Sequence, residues 1–338
     1  MSEYRVGMVG IGAVGTEMIR VLRQRNFPAS EIRILARSER DEEIDGETYH
    51  VVAASPEAFD GLDFAFFAGT EGAKGASQQY GWEAVSRDVI VVDNGDDFRM
   101  DDRVPLVIPE INADALKDHQ GFVANPNCST IIALMALGPL HRAAGIRRFV
   151  ASTYQAVSGT GRSAIAELEN QVHQYEAGEK LVVDTYPHQI AFNVVPQIGS
   201  IKPQMPGYTS EEAKMLFETR KILGSDSIRV SATCVRVPVF NGHSEALNVE
   251  FERPVSPEEA REILAAAEGV TVVDDPENGV YPLPLEVSGK DDVFVGRVRP
   301  DDSVENGLAL FVAGDNIRKG AALNAVQIAE KLGDLSQA

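Results

Sequence analysis

Short, almost wholly apolar runs separated by helical patterns fill the first part of the chain. Tyr4 to Val9, Ile32 to Ala36, Leu62 to Ala68 and Val89 to Val92 have the length and the β-branched or aromatic content of buried strands. Met18, Ile19 and Leu22 carry helical spacing between the first two. Such alternation predicts an α/β unit with a parallel, doubly wound sheet, whose ligands bind beyond the C-terminal ends of its strands. The uncharged run Ile131 to Leu137 predicts a buried helix, and after it the character changes. Strands are expected at Arg147 to Tyr154, Ile228 to Val239, Val293 to Val298 and Leu308 to Ala313. Leu247, Val249 and Phe251 alternate with polar residues, as in an antiparallel strand with one wet face. Thr209-Ser210-Glu211-Glu212 and Ser256-Pro257-Glu258-Glu259 have the form of capping boxes, the second with Pro at the first helical position. Further helices are expected from about Arg162 to Glu176 and from Lys319 to Leu332. Residues 181–208, interrupted by Pro187, Pro196, Pro203 and Pro206, are expected to be mostly loop, apart from an apolar piece near Ile190 to Val195. The second half is therefore expected to be α+β with a mostly antiparallel sheet.

Composition narrows the function classes. At 338 residues the chain can form two domains, and 44% hydrophobic with 24% charged residues is ordinary for a globular protein. A net charge of −20 argues against nucleic acid and anionic membrane surfaces as partners. An anionic ligand would then need a local cluster of Arg and Lys. Two cysteines, Cys128 and Cys234, make no disulfide framework, so a reducing cytoplasm is expected. No signal-peptide h-region, membrane-length apolar run, internal repeat or metal-ligand spacing is found.

Candidate chemistry lies where the elements end. Gly10-Ile11-Gly12-Ala13-Val14-Gly15 is a G-x-G-x-x-G between a strand and a helix, a form that admits a pyrophosphate onto a helix N-terminus. The second strand ends at Arg37-Ser38-Glu39-Arg40. Arg37, Ser38 and Arg40 suit the 2′-phosphate of NADP(H), and the following Asp41-Glu42-Glu43 is expected to be a solvated loop. Arg99 follows the fourth strand, which makes it a candidate anion ligand; a surface ion pair is the alternative. Asn125-Pro126-Asn127-Cys128-Ser129-Thr130 predicts a tight turn with Asn127 as N-cap and Cys128 in the first helical turn. There the helix dipole favours a thiolate, and any oxyanion beside it. Free cysteine is also a small buried hydrophobe, and the stretch alone leaves both readings open. The polar, Gly-rich turn Gln155-Ala156-Val157-Ser158-Gly159-Thr160-Gly161 is either a site or a plain loop.

Taken together, N-P-N-C-S-T, S-T-Y-Q-A-V-S-G, E-E-A-K, C-V-R-V-P-V-F-N-G-H-S and D-N-I-R-K-G-A-A resemble bacterial aspartate-semialdehyde dehydrogenase, over essentially the whole chain. The resemblance implies a Rossmann-type NADP-binding domain over 1–127 plus 314–338, and a catalytic and dimerisation domain over 128–313. It implies NADPH-dependent reductive dephosphorylation of L-aspartyl 4-phosphate, on the route to lysine and diaminopimelate, threonine, methionine and isoleucine. By motif position Cys128 is the nucleophile that forms a thioester, Gln155 orients the acyl group, and His243 is the general acid/base, whose ordinary pKa suits that task. Arg236 matches the ligand of the substrate α-carboxylate, Glu211 that of the ammonium, and Lys214 and Arg99 those of the phosphate, with Asn127 beside the nucleophile. Gly10, Gly12, Ala13, Val14, Gly15, Ser158, Gly159 and Asn316 match cofactor contacts. A homodimer or dimer-based tetramer is implied.

The chain departs from the family pattern in three places. The glycine fingerprint is one residue shorter, Gly95-Asp96-Asp97 replaces small and hydroxyl residues before Arg99, and Thr70-Glu71 replaces a small, Gly-rich pair. Two other readings are a related acyl-phosphate reductase, such as one acting on N-acetylglutamyl phosphate, and a non-catalytic paralogue. An acetylated amine has no use for Glu211 as counter-ion, and a dead paralogue has no need of Cys128 together with His243.

Overall fold

The computed structural model describes residues 3–68, 75–203 and 205–337. The chain divides into two compact units, one of residues 1–127 and 321–338 and one of residues 128–320.

The first unit begins β1 (Tyr4–Val9), α1 (Ala13–Gln24), β2 (Ala29–Ala36), β3 (Arg40–Ile44), β4 (Glu47–Ala53) and β5 (Phe64–Phe67). It continues α2 (Trp82–Val85), β6 (Ile90–Asp93), α3 (Pro109–Asn112) and β7 (Phe122–Ala124). Its strands form one sheet of order β3-β4-β2-β1-β5-β6-β7. All its pairs are parallel except β3–β4. Strands covered on both faces need apolar residues at nearly every position, which is why β5 reads Phe-Ala-Phe-Phe and is buried throughout. The expectation of a solvated loop at Asp41-Glu42-Glu43 is corrected: these residues lie in β3, paired antiparallel with β4 across Asp45-Gly46. Both turn residues have positive φ, 52° and 81°, the geometry a two-residue hairpin needs.

The second unit holds α4 (Cys128–Ala144), β8 (Ile146–Gln155), α5 (Arg162–Glu176), α6 (Ser210–Leu223), β9 (Arg229–Arg236), β10 (His243–Phe251) and α7 (Pro257–Ala265). It ends β11 (Val270–Val272), α8 (Pro284–Val287), β12 (Val293–Pro300) and β13 (Gly307–Gly314). The sheet order is β11-β12-β13-β10-β8-β9. It is mixed: the β11–β12 and β8–β9 pairs are parallel and the other three antiparallel. Thr209 and Glu212 close the expected capping box on α6. At Ser256 only the forward bond forms, because Glu259 is turned to Arg253. Helix α4, expected from its uncharged run, is buried from Ser129 to Leu140 and packs on β8, β10, β12 and β13.

The last helix, α9 (Leu323–Gln337), belongs to the first unit and joins its core through Leu323, Val326, Ile328 and Leu332. The chain leaves the second unit after Gly320 rather than at 313. Residues between these points are tied to that unit, Asn316 bonding both Ser158 and Gly242.

Candidate active site

In the first unit the turn after β1 forms a cradle. A Cβ on Gly15 would sit 2.1 Å from the Gly10 carbonyl oxygen, so only glycine lets α1 start this close to the strand end. Gly12, at the N-cap, has no side-chain cap, and α1 has no acidic residue in its first turn. Its dipole end therefore faces open space, as a pyrophosphate site requires. The adjoining cleft, of about 940 Å³, is lined by Val9, Gly10 and Gly12 and, at the β2 end, by Arg37, Ser38 and Arg40. Arg37 and Ser38 are exposed, whereas Arg40 lies in β3 and donates from Nε to Glu42 at 3.1 Å. The residues present fit a dinucleotide: a glycine turn at a helix start, with cations one strand away.

Arg99 is buried rather than a surface ion pair. Its Nε donates to the Asn125 carbonyl at 2.9 Å and Nη2 to that of Asn94 at 2.8 Å. Asn125 is itself held, its Oδ1 accepting from Asn324 at 2.6 Å. Asp96 and Asp97 are half-buried instead of turned out to solvent. Thr70 and Glu71 lie outside the described residues.

In the second unit, one face of the sheet carries most of the remaining candidates. Gln155 at the end of β8 stands opposite Arg236 on β9, and His243, first residue of β10, stands opposite Gly314. All three side chains are buried. His243 Nδ1 accepts a hydrogen bond from the Ala156 amide at 3.1 Å, so the ring proton sits on Nε2, which is buried without a partner. Burial first, then the Arg236 charge, pushes His243 well below 6.5. The expectation of an ordinary imidazole is thus corrected: His243 is neutral and offers an N–H donor. Arg236 donates from Nη1 to the Ala156 carbonyl at 2.6 Å, leaving its Nε, like Gln155 Nε2, buried and unpartnered. Unspent donors grouped on one row of the sheet suit anionic or carbonyl oxygens.

Gly159 crosses directly over these groups. A Cβ there would lie 2.9 Å from Arg236 Nη1 and 3.2 Å from His243 Nε2. Gly159→Ala is expected to leave the melting temperature within about 3 °C of wild type, because the atoms displaced are side-chain ends. It should lower kcat/KM by about 10–100-fold, because those ends are the donors themselves. Melting curves with steady-state kinetics check both.

Cys128 is the first residue of α4, immediately after Asn127, and is half-buried, whereas Cys234 is sealed in the interior. Gly320 packs on it so tightly that a Cβ would lie 2.9 Å from the Cys128 Cβ. This glycine ends the stretch Asp315 to Gly320, which also brings Asn316 to the Gln155–Gly161 turn. Asn316 Nδ2 donates to Ser158 Oγ at 2.9 Å, and Ser158 Oγ donates to Asn241 Oδ1 at 3.0 Å. Asn241, in turn held by Asp315 at 2.7 Å, was not singled out from the sequence, although the motif V-F-N-G-H-S contains it. Glu211 and Lys214 are paired at 3.8 Å on the first turns of α6.

Known proteins resemble the chain throughout. The patterns described as "Semialdehyde dehydrogenase, NAD binding domain" and "Semialdehyde dehydrogenase, dimerisation domain" match residues 5–119 and 137–319. Aspartate-semialdehyde dehydrogenase of Aquifex aeolicus is 49% identical, over 97% of this chain and 98% of the relative. That of Bacillus subtilis is 44% identical, over 98% of each. The chain belongs to the aspartate-semialdehyde dehydrogenase family. It is an oxidoreductase built on an NAD(P)-binding domain. The crystal structure of aspartate semialdehyde dehydrogenase II from Vibrio cholerae, complexed with ASA, superposes with a TM-score of 0.92 at 40% identity, covering 99% of each chain. The family therefore accounts for both sheets, including the mixed one.

Proposed function

We propose that the protein catalyses NADPH-dependent reductive dephosphorylation of L-aspartyl 4-phosphate to L-aspartate 4-semialdehyde, through a thioester on Cys128. The single observation that carries this reading is the cluster of unspent donors on His243, Arg236 and Gln155, in the same unit as a half-buried cysteine at a helix start. The dipole end of α4 favours negative charge on the Cys128 sulfur. The thiolate attacks the acyl carbon, a C–S bond forms, and the C–O bond to phosphate breaks with its electron pair leaving on phosphate. His243 Nε2–H donates to the carbonyl oxygen as charge develops there, and Gln155 orients it. NADPH, when bound, supplies the hydride that reduces the thioester carbon. The oxyanion then re-forms C=O, the C–S bond breaks, and Cys128 returns as thiolate. The proton consumed overall ends on the released phosphate.

Arg236 takes the α-carboxylate, Glu211 the ammonium, and Lys214 and Arg99 the phosphate. A free ammonium gives Glu211 a counter-ion, which an N-acetylated substrate lacks, so the aspartyl reading is preferred. Asn127 supports the Cys128 turn. Ser158, Gly159 and Asn316 join the glycine turn as cofactor contacts. Supporting a homodimer or dimer-based tetramer is the match to a dimerisation domain. A cytoplasmic place in aspartate-family amino-acid biosynthesis accords with Cys128 and Cys234 forming no disulfide.

Purified protein incubated with L-aspartate semialdehyde, phosphate and NADP⁺ should form NADPH only when phosphate is present; phosphate-independent turnover would refute the reading. Cofactor choice is assigned to Arg37, with Ser38 and Arg40. Arg37→Ala is expected to raise KM for NADP⁺ about tenfold while leaving that for NAD⁺ unchanged, the loss of one charged contact to a 2′-phosphate. Parallel titrations with the two cofactors measure this.

A further inference from the structure

Strands β10 and β13 are paired to their ends, His243 standing opposite Gly314. Beyond that pair the backbone ladder stops and side chains continue it. Asn316 Oδ1 accepts from the Gly242 amide at 3.0 Å, and Asp315 Oδ2 accepts from Asn241 Nδ2 at 2.7 Å. The two residues before His243 are thus gripped, one each, by the two residues after Gly314. The grip has a purpose in the backbone. Gly242 is left-handed, with φ 89°, and runs so close to α8 that a Cβ would lie 2.8 Å from the Pro284 carbonyl oxygen. A glycine restrains its own course least of all residues, so the course into His243 is set by what holds its neighbours.

Asp315 is buried, and both of its oxygens are spent. Oδ1 accepts from the amides of Ile317 at 2.9 Å and Arg318 at 3.0 Å, as an Asp does in its own turn. Oδ2 accepts from the Gly289 amide, just past α8, at 2.7 Å, besides Asn241. Every partner is an N–H donor, so the carboxyl serves only as acceptor. A turn needs only the first oxygen. The second reaches outside the turn, to the chain entering His243 and to the α8 segment packed against it. Asn241 carries the connection onward: its Oδ1 accepts from Ser158 Oγ at 3.0 Å, and Nδ2 also donates to Ser288 Oγ at 2.8 Å. Ser158 Oγ accepts from Asn316 Nδ2 at 2.9 Å, which closes a ring of Asp315, Asn241, Ser158 and Asn316.

We propose that Asp315 is a positioning residue: through Asn241 its carboxyl holds Ser158 and Asn316, the cofactor contacts, in one frame with the chain that enters His243. The proposal rests on the functional reading above. Neither the substrate nor the cofactor touches Asp315 in this scheme. It acts through the ring, so that the N–H donor of His243 and the cofactor keep a fixed spacing.

Asp315→Asn is the direct test. The amide keeps an oxygen for Ile317 and Arg318 and sets an NH₂ against the two donors on the other side. NADP⁺ affinity measured by calorimetry should weaken about fivefold. The kcat with L-aspartate semialdehyde should fall about 10–50-fold, as displaced catalytic geometry does. KM for phosphate should stay within about twofold, because Arg99 and Lys214 are not in the ring. Adding Asn241→Asp reverses the broken bond, the amide at 315 now donating to a carboxylate at 241, where Ser158 still finds an acceptor. The double variant should bind NADP⁺ within about twofold of wild type and regain at least about fivefold of the lost kcat. A role confined to stability lowers the fraction of active enzyme and leaves affinity and every KM in place. Should Asp315→Asn prove insoluble, Asn241→Ala is read instead; it spares the three backbone bonds of Asp315 and should show the same weakening of NADP⁺ binding. Unchanged NADP⁺ affinity in the single variant, or a double variant no better than the single, overturns the proposal. Calorimetry needs no turnover, so it decides on Asp315 even with a wild type inert toward the semialdehyde, a result that counts against the functional reading alone.

Discussion

Cys128→Ala is expected to abolish phosphate-dependent reduction of NADP⁺ by L-aspartate semialdehyde, with kcat falling on the order of 10⁴-fold or more. No other group in the proposed reaction forms a covalent bond to substrate, so nothing takes over when the sulfur is removed. Stability should hardly change. Cys128 is half-buried, alanine keeps the Cβ against which Gly320 packs, and the rest of α4 is untouched. The melting temperature should move by no more than about 2 °C. Activity and melting measured on the same preparation separate a missing nucleophile from a damaged fold. A variant that retains full turnover would remove the thioester from the scheme.

The second large effect is expected at His243. His243→Ala should lower kcat about 10²–10⁴-fold, the usual cost of losing a donor aimed at developing charge. The pH dependence gives this test a direction. Burial, then Arg236, lowers the pKa of His243, so the neutral ring persists as pH falls past 6.5. The wild-type rate should therefore show no inflection from this residue near 6.5, with any loss confined to more acid pH. The same shift runs against folding in acid. An unfolded histidine binds a proton near 6.5 that the folded one refuses, so wild-type stability falls as pH drops below that value. His243→Ala should lack this part of the acid sensitivity. Rate profiles and melting curves over the same pH range check both statements.

Much of this architecture was legible in residue patterns, and the exceptions have physical causes. Buried parallel strands announce themselves by unbroken apolar runs, as in Phe64 to Phe67. Strand β3 escaped because an edge strand buries little: of Arg40 to Ile44 only Ile44 is fully covered. Its real signal was Asp45-Gly46, a two-residue hairpin turn leading into the strand-like run Thr48 to Val52. Strand β7, three residues long, is too short for periodicity to speak. At the site, motif resemblance pointed to the residues on the first row of the second sheet. It could not foresee the tautomer of His243, which depends on an amide 87 positions away in sequence. Asp315 was hidden differently. An acidic residue where a strand ends is naturally taken as facing water, and only a structure showing it buried, with both oxygens spent on N–H donors, reverses that.

Strand β3 has one further consequence, for how molecules of this protein meet each other. It forms the outermost rung of its sheet, and the lateral edge of any sheet offers unsatisfied peptide groups to a passing chain. Here that rim is written Arg-Asp-Glu-Glu-Ile, so a second copy approaching edge-on meets a row of carboxylates with its own. The acidic surplus of the polypeptide thereby protects against ribbon-to-ribbon sticking where the backbone is least guarded.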